Sequence, residues 1–265
     1  MDGFDINELK NKIYKELNLT DDVLPDDISI STMTLEAKVK TIFYPINIYK
    51  YIPRTENGIY SVKGHEKKIK TTKNTQFLNQ VTAAIKVKGK DLDKPVSVKI
   101  FTCGSLHFTG CLTVGHMIEA IYILCNECNT DNYILTKNKK IKKIKYNKDV
   151  LTIDKIYDFH IDMINCKFTV PFRIDRYKLP ILMKKDGYDA IYDSTRHAGV
   201  SIKLIQDGKK ITIFVFESGV IIIILGNQGF VKIKETYIFI YKYLLKNYPE
   251  IVKNNDIIEY IEENY

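Results

Sequence analysis

Apolar and polar residues alternate most clearly from Ile211 to Gly226, ITIFVFESGVIIIILG, where a run of period two is interrupted once by Glu-Ser-Gly and then resumes. The interruption reads as a turn and its flanks as two strands, so the stretch predicts a β-hairpin. Val96 to Gly110, VSVKIFTCGSLHFTG, repeats the arrangement, with an alternating strand ending in Ile-Phe, a short Cys-Gly turn and a second strand closing on Gly. Phe101 and Phe216 fall at the same place in each. A repeat spaced by more than a hundred residues is too long for a solenoid and fits one half-domain duplicated inside a single fold.

Successive strand side chains point to opposite faces, so Ile211, Ile213 and Val215 share one face and Phe214 and Phe216 the other, with only Thr212 breaking the apolar run. An antiparallel sheet with one wet face carries polar residues on it. This hairpin does not, so either both faces are buried or one is an apolar surface that meets a partner.

The same reading orders the rest of the chain. Asp5 and Glu8 stand at capping-box spacing before Ile6, Leu9, Ile13 and Leu17, which predicts a short amphipathic helix, read as a loosely packed extension or a docking arm. Asp21, Asp22, Pro25, Asp26 and Asp27 make an acidic link. Residues 28 to 43 alternate as a strand, Pro45 opens a short helix, and Gly58 to Val62 suit an edge strand. A polar basic loop follows, then a strand from Phe77 through Lys88, the first hairpin, and a helix containing MIEAIYIL.

The second half repeats strand, short helix, meander and long helix. It runs through FHIDMINCKFTVPF, RYKLPILMKK, a strand at Val200 to Leu204, the second hairpin and KETYIFIYKYLLKNYP. Boundaries follow at 1–27 for the N-terminal extension, 28–128 for the first repeat, 129–157 for a lysine-rich linker, 158–250 for the second repeat and 251–265 for an acidic tail.

Composition changes this picture in three ways. Lysine and arginine exceed the acids by 8 among 265 residues, which puts nucleic acid or another anionic surface first among partners. Abundant Ile, Lys, Asn and Tyr without Trp resembles coding from an AT-rich genome, which by itself inflates lysine. In the linker, Lys137, Lys139, Lys140, Lys142, Lys143, Lys145 and Lys148 meet no acid before Asp149, a run suited to phosphates or simply to solvent.

No apolar run is long enough to span a bilayer and no signal segment opens the chain, so an intracellular protein without membrane contact is expected. The 5 cysteines are an odd number. Cys125 and Cys128 form one C-x-x-C without a second pair, which reads as packing rather than as a metal or redox site. No P-loop, paired-carboxylate or metal-ligand constellation is visible, so no enzyme activity, metal or cofactor is expected.

With the duplicated hairpins and the helix after each, the chain resembles the TATA-box-binding protein family in the divergent form of giant DNA viruses. IFTCGSLHFTG is similar to the family's first-half strand motif, IFVFESGVIIIILG to its second-half partner, and DFHIDMINCKFTVPFRI to the strand that opens the second half. The resemblance implies an α+β saddle in which two pseudo-symmetric repeats share a curved antiparallel sheet, with helices on the convex face and DNA on the concave face. It implies a monomeric transcription initiation factor that binds and bends AT-rich promoter DNA through the minor groove. Its partners would be a B-type initiation factor and RNA polymerase, in a host nucleus or a cytoplasmic virus factory. The alternative is a degenerate scaffold of the same fold that touches DNA weakly.

Carried over residue by residue, Phe101 and Phe216 match one wedge of each pair, Phe77 and His197 stand for the others, Phe214 faces the groove, Thr109 matches a groove-floor threonine and Ile30 a groove-facing valine. The family's paired asparagines align with Ile28 and Met163, leaving Asn165 on the same face. Lysines expected after each Ser-Gly are Ser105 and Val220, with Lys99 and Lys203 as substitutes for the lost charge, and the second Thr-Gly is Leu225-Gly226. Tyr192, Asp193 and Arg196 occupy the loop that meets the B-type factor. These departures imply that the first half grips DNA more tightly than the second.

Overall fold

The structure is a computed structural model that describes residues 4–18, 24–64, 79–89, 94–136, 138–226 and 229–253. Phe77, Lys137, Asp21 and Asp22, the centre of the loop before Phe77 and the tail beyond residue 253 lie outside the described residues. The chain divides into two compact units, residues 1–20 with 32–162 and residues 21–31 with 163–265.

In the first unit, α1 (Ile6–Glu16) precedes β1 (Ser29–Val39), which belongs to this unit from Thr32 onward and leads to the short α2 (Pro45–Tyr51). Then come β2 (Ile59–Lys63), β3 (Gln80–Ile85), β4 (Val96–Phe101), β5 (Ser105–Cys111) and α3 (Val114–Asn129). The strand β8 (Ile156–Thr169) belongs to the first unit as far as Asp162 and to the second from Met163, where it is followed by α4 (Lys178–Lys185), β9 (Asp189–Ile191), β10 (Val200–Gln206), β11 (Lys209–Val215), β12 (Val220–Gly226), α5 (Gly229–Lys246) and α6 (Tyr248–Ile251). The first unit orders its strands β2-β3-β4-β5-β1 and the second β9-β10-β11-β12-β8, so each repeat pairs its first strand with its last.

The duplication extends to individual backbone hydrogen bonds. Each hairpin closes with the glycine N–H donating to the phenylalanine carbonyl, Gly104 to Phe101 and Gly219 to Phe216, both at 3.0 Å. Each glycine carbonyl then accepts from the end of the unit's first strand, from Val39 N and Val170 N, both at 2.9 Å. Gly104 has φ +93° and Gly219 φ +83°, where an L side chain is strained, and a Cβ would lie 2.1 Å from the Val39 oxygen or 2.5 Å from the Val170 oxygen. The glycines are therefore required twice over, by the three-residue loop and by the close approach of backbone to backbone.

Each sheet buries one face under helices. Val96, Val98 and Ile100 of β4 and Leu106 and Phe108 of β5 are buried beneath α3, as Ile211, Ile213, Val215, Ile221, Ile223 and Leu225 are in the second unit beside α5. Helix α3 offers Met117, Ile121, Leu124 and Cys128, and α5 offers Ile233, Thr236, Ile240 and Leu244, the 3- and 4-residue steps of a helix lying on a sheet. Cys125 and Cys128 belong to this core, and burial pushes the Cys125 thiol up to about 12 and that of Cys128 well above its ordinary range.

Three readings from sequence change. Helix α1 is not loosely attached: Leu9 and Ile13 are completely buried, α1 packs on α3, and Asp5 accepts from Asn7 N at 2.8 Å. The long C-terminal helix begins at Gly229 rather than Lys234, because Ile233 extends the buried stripe one turn back. The lysine-rich segment folds a hairpin, β6 (Asn132–Leu135) with β7 (Ile141–Ile144), where Lys143 pairs with Asp131 at 2.5 Å. Beyond it Tyr146 is buried and donates to the Tyr51 carbonyl at 2.7 Å, while Asn147 bridges Phe43. Val252 bridges Ile174 in the same way in the second unit.

Candidate nucleic-acid interface

The face of each sheet turned away from the helices carries the candidate residues. In the first unit Phe101 is half-buried on this face, its ring centroid 4.8 Å from that of His107. Cross-strand register places Lys99 opposite His107, Ser97 opposite Thr109, Thr109 opposite Thr34, and His107 opposite Glu36. Lys99 and Lys38 are exposed and Thr109 is half-buried. Of the residues carried over by resemblance, Phe101, Thr109 and Lys99 thus share one face.

The corresponding face of the second unit is built differently. Phe214 stands opposite Ile222 and Ser201, and Thr212 opposite Ile224 and Lys203. His197 stacks on Phe214 with centroids 4.1 Å apart and lies 5.4 Å from Phe216, so three rings gather in one cluster. The imidazole is fixed because its Nδ1 accepts from Gly199 N at 3.0 Å. Asn165 pairs across the strands with Ile224, and its Oδ1 is buried without a hydrogen-bond partner among the described residues. Lys203 is exposed, 3.9 Å from Asp189.

Leu225, placed by resemblance where the first half has Thr109, is completely buried on the helix side. Ile224 takes the outward place instead, since the residue added to this strand moves every later side chain to the other face. Ile28 is buried, so it cannot replace a groove-facing asparagine, whereas Ile30 is half-buried. In β8 the buried positions switch from Phe159 and Ile161 to Ile164, Cys166 and Phe168, a slip of one residue that puts both Asp162 and Met163 on partly exposed positions.

The loop residues Tyr192, Asp193 and Arg196 lie together in the second unit. Tyr192 packs edge-on against Tyr177 at 5.2 Å and under the Arg176 guanidinium at 5.0 Å. Asp193 accepts from Thr195 N at 3.0 Å and from its hydroxyl at 2.6 Å, and both bonds hold its carboxyl below the usual range. Arg196 is almost fully exposed, 3.7 Å from Asp193.

Two constellations were not legible as such in the sequence. At the tip of the second hairpin, Glu217 is held by Lys253 at 2.9 Å, Arg176 at 2.7 Å and Arg173. On the outward face of the first unit, Glu36 bonds His107 Nδ1 at 2.9 Å and His160 Nε2 at 3.2 Å, with Asp162 3.3 Å from the same Nε2. The only sequence signal for the latter is His160-x-Asp162, two residues that alternation puts on one face of β8.

Comparison with known proteins places the chain. It is 34% identical over 256 residues to a "TATA-box-binding protein-like" protein of Acanthamoeba polyphaga mimivirus, an alignment covering 85% of this chain and 67% of the relative. Among solved structures it is similar to the Methanococcus jannaschii TBP, with a TM-score of 0.53 and 13% identity over 83% of this chain and 99% of that one. No family model matches the sequence.

Proposed function

Since the chain belongs to the TATA-box-binding protein-like family, we propose that it is a transcription initiation factor that binds AT-rich duplex DNA through the minor groove and bends it. The α+β fold agrees with that assignment. The observation that carries the reading is the cluster of His197, Phe214 and Phe216, three rings held half-buried on the sheet face that the helices leave uncovered. Apolar wedges on such a face unstack base steps and kink the duplex, which favours the easily deformed steps of TA-containing sequence. Thr212, Asn165 and, in the first unit, Thr109 supply short polar side chains for base edges, and Lys99 and Lys203 serve the phosphates. Tyr192, Asp193 and Arg196 form the docking loop for a B-type initiation factor, through which polymerase is recruited. The protein acts by binding, with no catalytic step.

Titration of short AT-rich and GC-rich duplexes at several salt concentrations tests this, with end-labelled duplexes reporting the bend. Preference for the AT-rich duplex, lost steeply as salt rises, is expected. Undetectable or salt-insensitive binding overturns it and leaves the second reading, a scaffold that holds transcription proteins and touches DNA weakly. Glu36 and Asp162 favour that alternative, because they put negative charge on the outward face of the first unit.

No helix among the described residues is long and apolar enough to cross a membrane.

A further inference from the structure

The geometry points to a binding site for a divalent transition metal ion on the outward face of the first unit, with Glu36, His160 and Asp162 as ligands. All three belong to that unit, on the middle of β1 and the first half of β8. The sequence showed no metal-ligand constellation because Glu36 lies more than a hundred positions before His160 and Asp162 and meets them only when the first half of β8 lies beside β1.

The spacing of the donor atoms supports the assignment. Bonds of about 2.0–2.1 Å to a tetrahedral ion set the donors roughly 3.3 Å apart. His160 Nε2 lies 3.2 Å from Glu36 Oε2 and 3.3 Å from Asp162 Oδ1. All three donor atoms fall within 4.8 Å of one another, so one ion reaches the set with a small closure of the carboxylates. One imidazole with two carboxylates suits Zn(II) and its relatives rather than the all-oxygen preference of Mg(II) or Ca(II).

The surroundings orient Glu36 in the way outer partners orient metal ligands. His107 Nδ1 lies 2.9 Å from Glu36 Oε1, the oxygen not offered to the ion. His160 turns its other nitrogen, Nδ1, toward Asp158 at 3.9 Å, and Asp158 is itself held by Lys38 at 2.7 Å. Side-chain exposures of 23% for Glu36, 32% for His160 and 35% for Asp162 leave a fourth position open to water or to a ligand group.

The test is a titration of the tag-free full chain with Co(II), read by visible d–d absorption and reversed by Zn(II). One equivalent per chain is expected, with no thiolate charge-transfer band. His160→Ala and the nearly isosteric Asp162→Asn should each remove the band, with unfolding midpoints in chelator showing that both still fold. His107→Ala should weaken affinity about ten- to a hundredfold by releasing Glu36, and His197→Ala should leave it unchanged. Absence of a band at excess Co(II), survival of the band in both ligand variants, or a thiolate band traced to the cysteines overturns the proposal.

Discussion

The two units share one construction and differ in what they show to the outside. Strand order, hairpin closure and the required glycine match bond for bond. Register then allows position-by-position comparison of the outward faces. Lys99, Ser97, His107 and Thr109 in the first unit stand where Phe214, Thr212, Ile222 and Ile224 stand in the second. Glu36 and Lys38 stand where Lys167 and Thr169 do. The buried faces must solve the same packing problem against a helix and stay alike. The outward faces are held only by pairing within the sheet, which tolerates many side chains, so a polar, charged surface and an apolar one arise on one fold.

The largest effects should ignore this difference. Gly104→Val and Gly219→Val should each destabilise the protein by about 3 kcal/mol or more, since each puts a branched side chain into positive φ and against a carbonyl. Urea unfolding checks this. A variant that keeps wild-type stability in either unit would show that the two hairpins are not built alike.

Affinity for an AT-rich duplex should divide the units. Phe216→Ala should weaken it about thirtyfold, roughly 2 kcal/mol, Phe101→Ala about tenfold and His197→Ala about threefold, measured on one duplex at fixed salt. An equal loss from Phe101→Ala and Phe216→Ala would remove the distinction. Smaller again is the effect of charge: Glu36→Gln with Asp162→Asn, in chelator, should strengthen binding about threefold, more at low salt than at high. Unchanged affinity would place the first unit's face away from the phosphates.

The smallest difference is acid sensitivity. Glu217 is held down to about 2 from 4.5, by Lys253 first and then Arg173, whereas the same place in the first hairpin is Thr102. A carboxyl whose folded value is depressed gives stability that is complete above its unfolded value and is lost as pH falls through the folded one. Stability should therefore decline from about pH 4.5 toward about pH 2. Glu217→Gln should flatten part of that decline in thermal melts across this range, and Thr102→Val should not.

Sequence reasoning reached the buried face of each strand and the outward places of Phe101 and Phe214, and stopped short of the clusters that form between distant elements. Period-two runs such as Ile211, Ile213 and Val215 located the strands and their buried face, because burial constrains them directly. Leu225 was misplaced because a single added residue reverses facing without altering the apolar pattern. The expectation that the first half grips DNA more tightly came from matching single residues. Such matching carries no record that His197 stacks on Phe214, a contact between a loop and a strand, nor that Glu36 and Asp162 gather around His160. Clusters assembled from distant strands leave no local signature.

Pairing the first strand of each repeat with its last has a consequence for the order in which the protein is made. Thr34 waits for Thr109, and Met163 for Gly226, so neither sheet closes before its whole repeat has been synthesised. Such distant pairings put folding in the range of milliseconds to seconds rather than microseconds. One early segment waits longest. Residues 24–31 belong to the second unit, and there Asp27 accepts from the hydroxyl of Tyr237. A chain leaving the ribosome therefore completes its first repeat with the start of β1 still lacking its own unit, and that segment finds its place only once α5 has emerged.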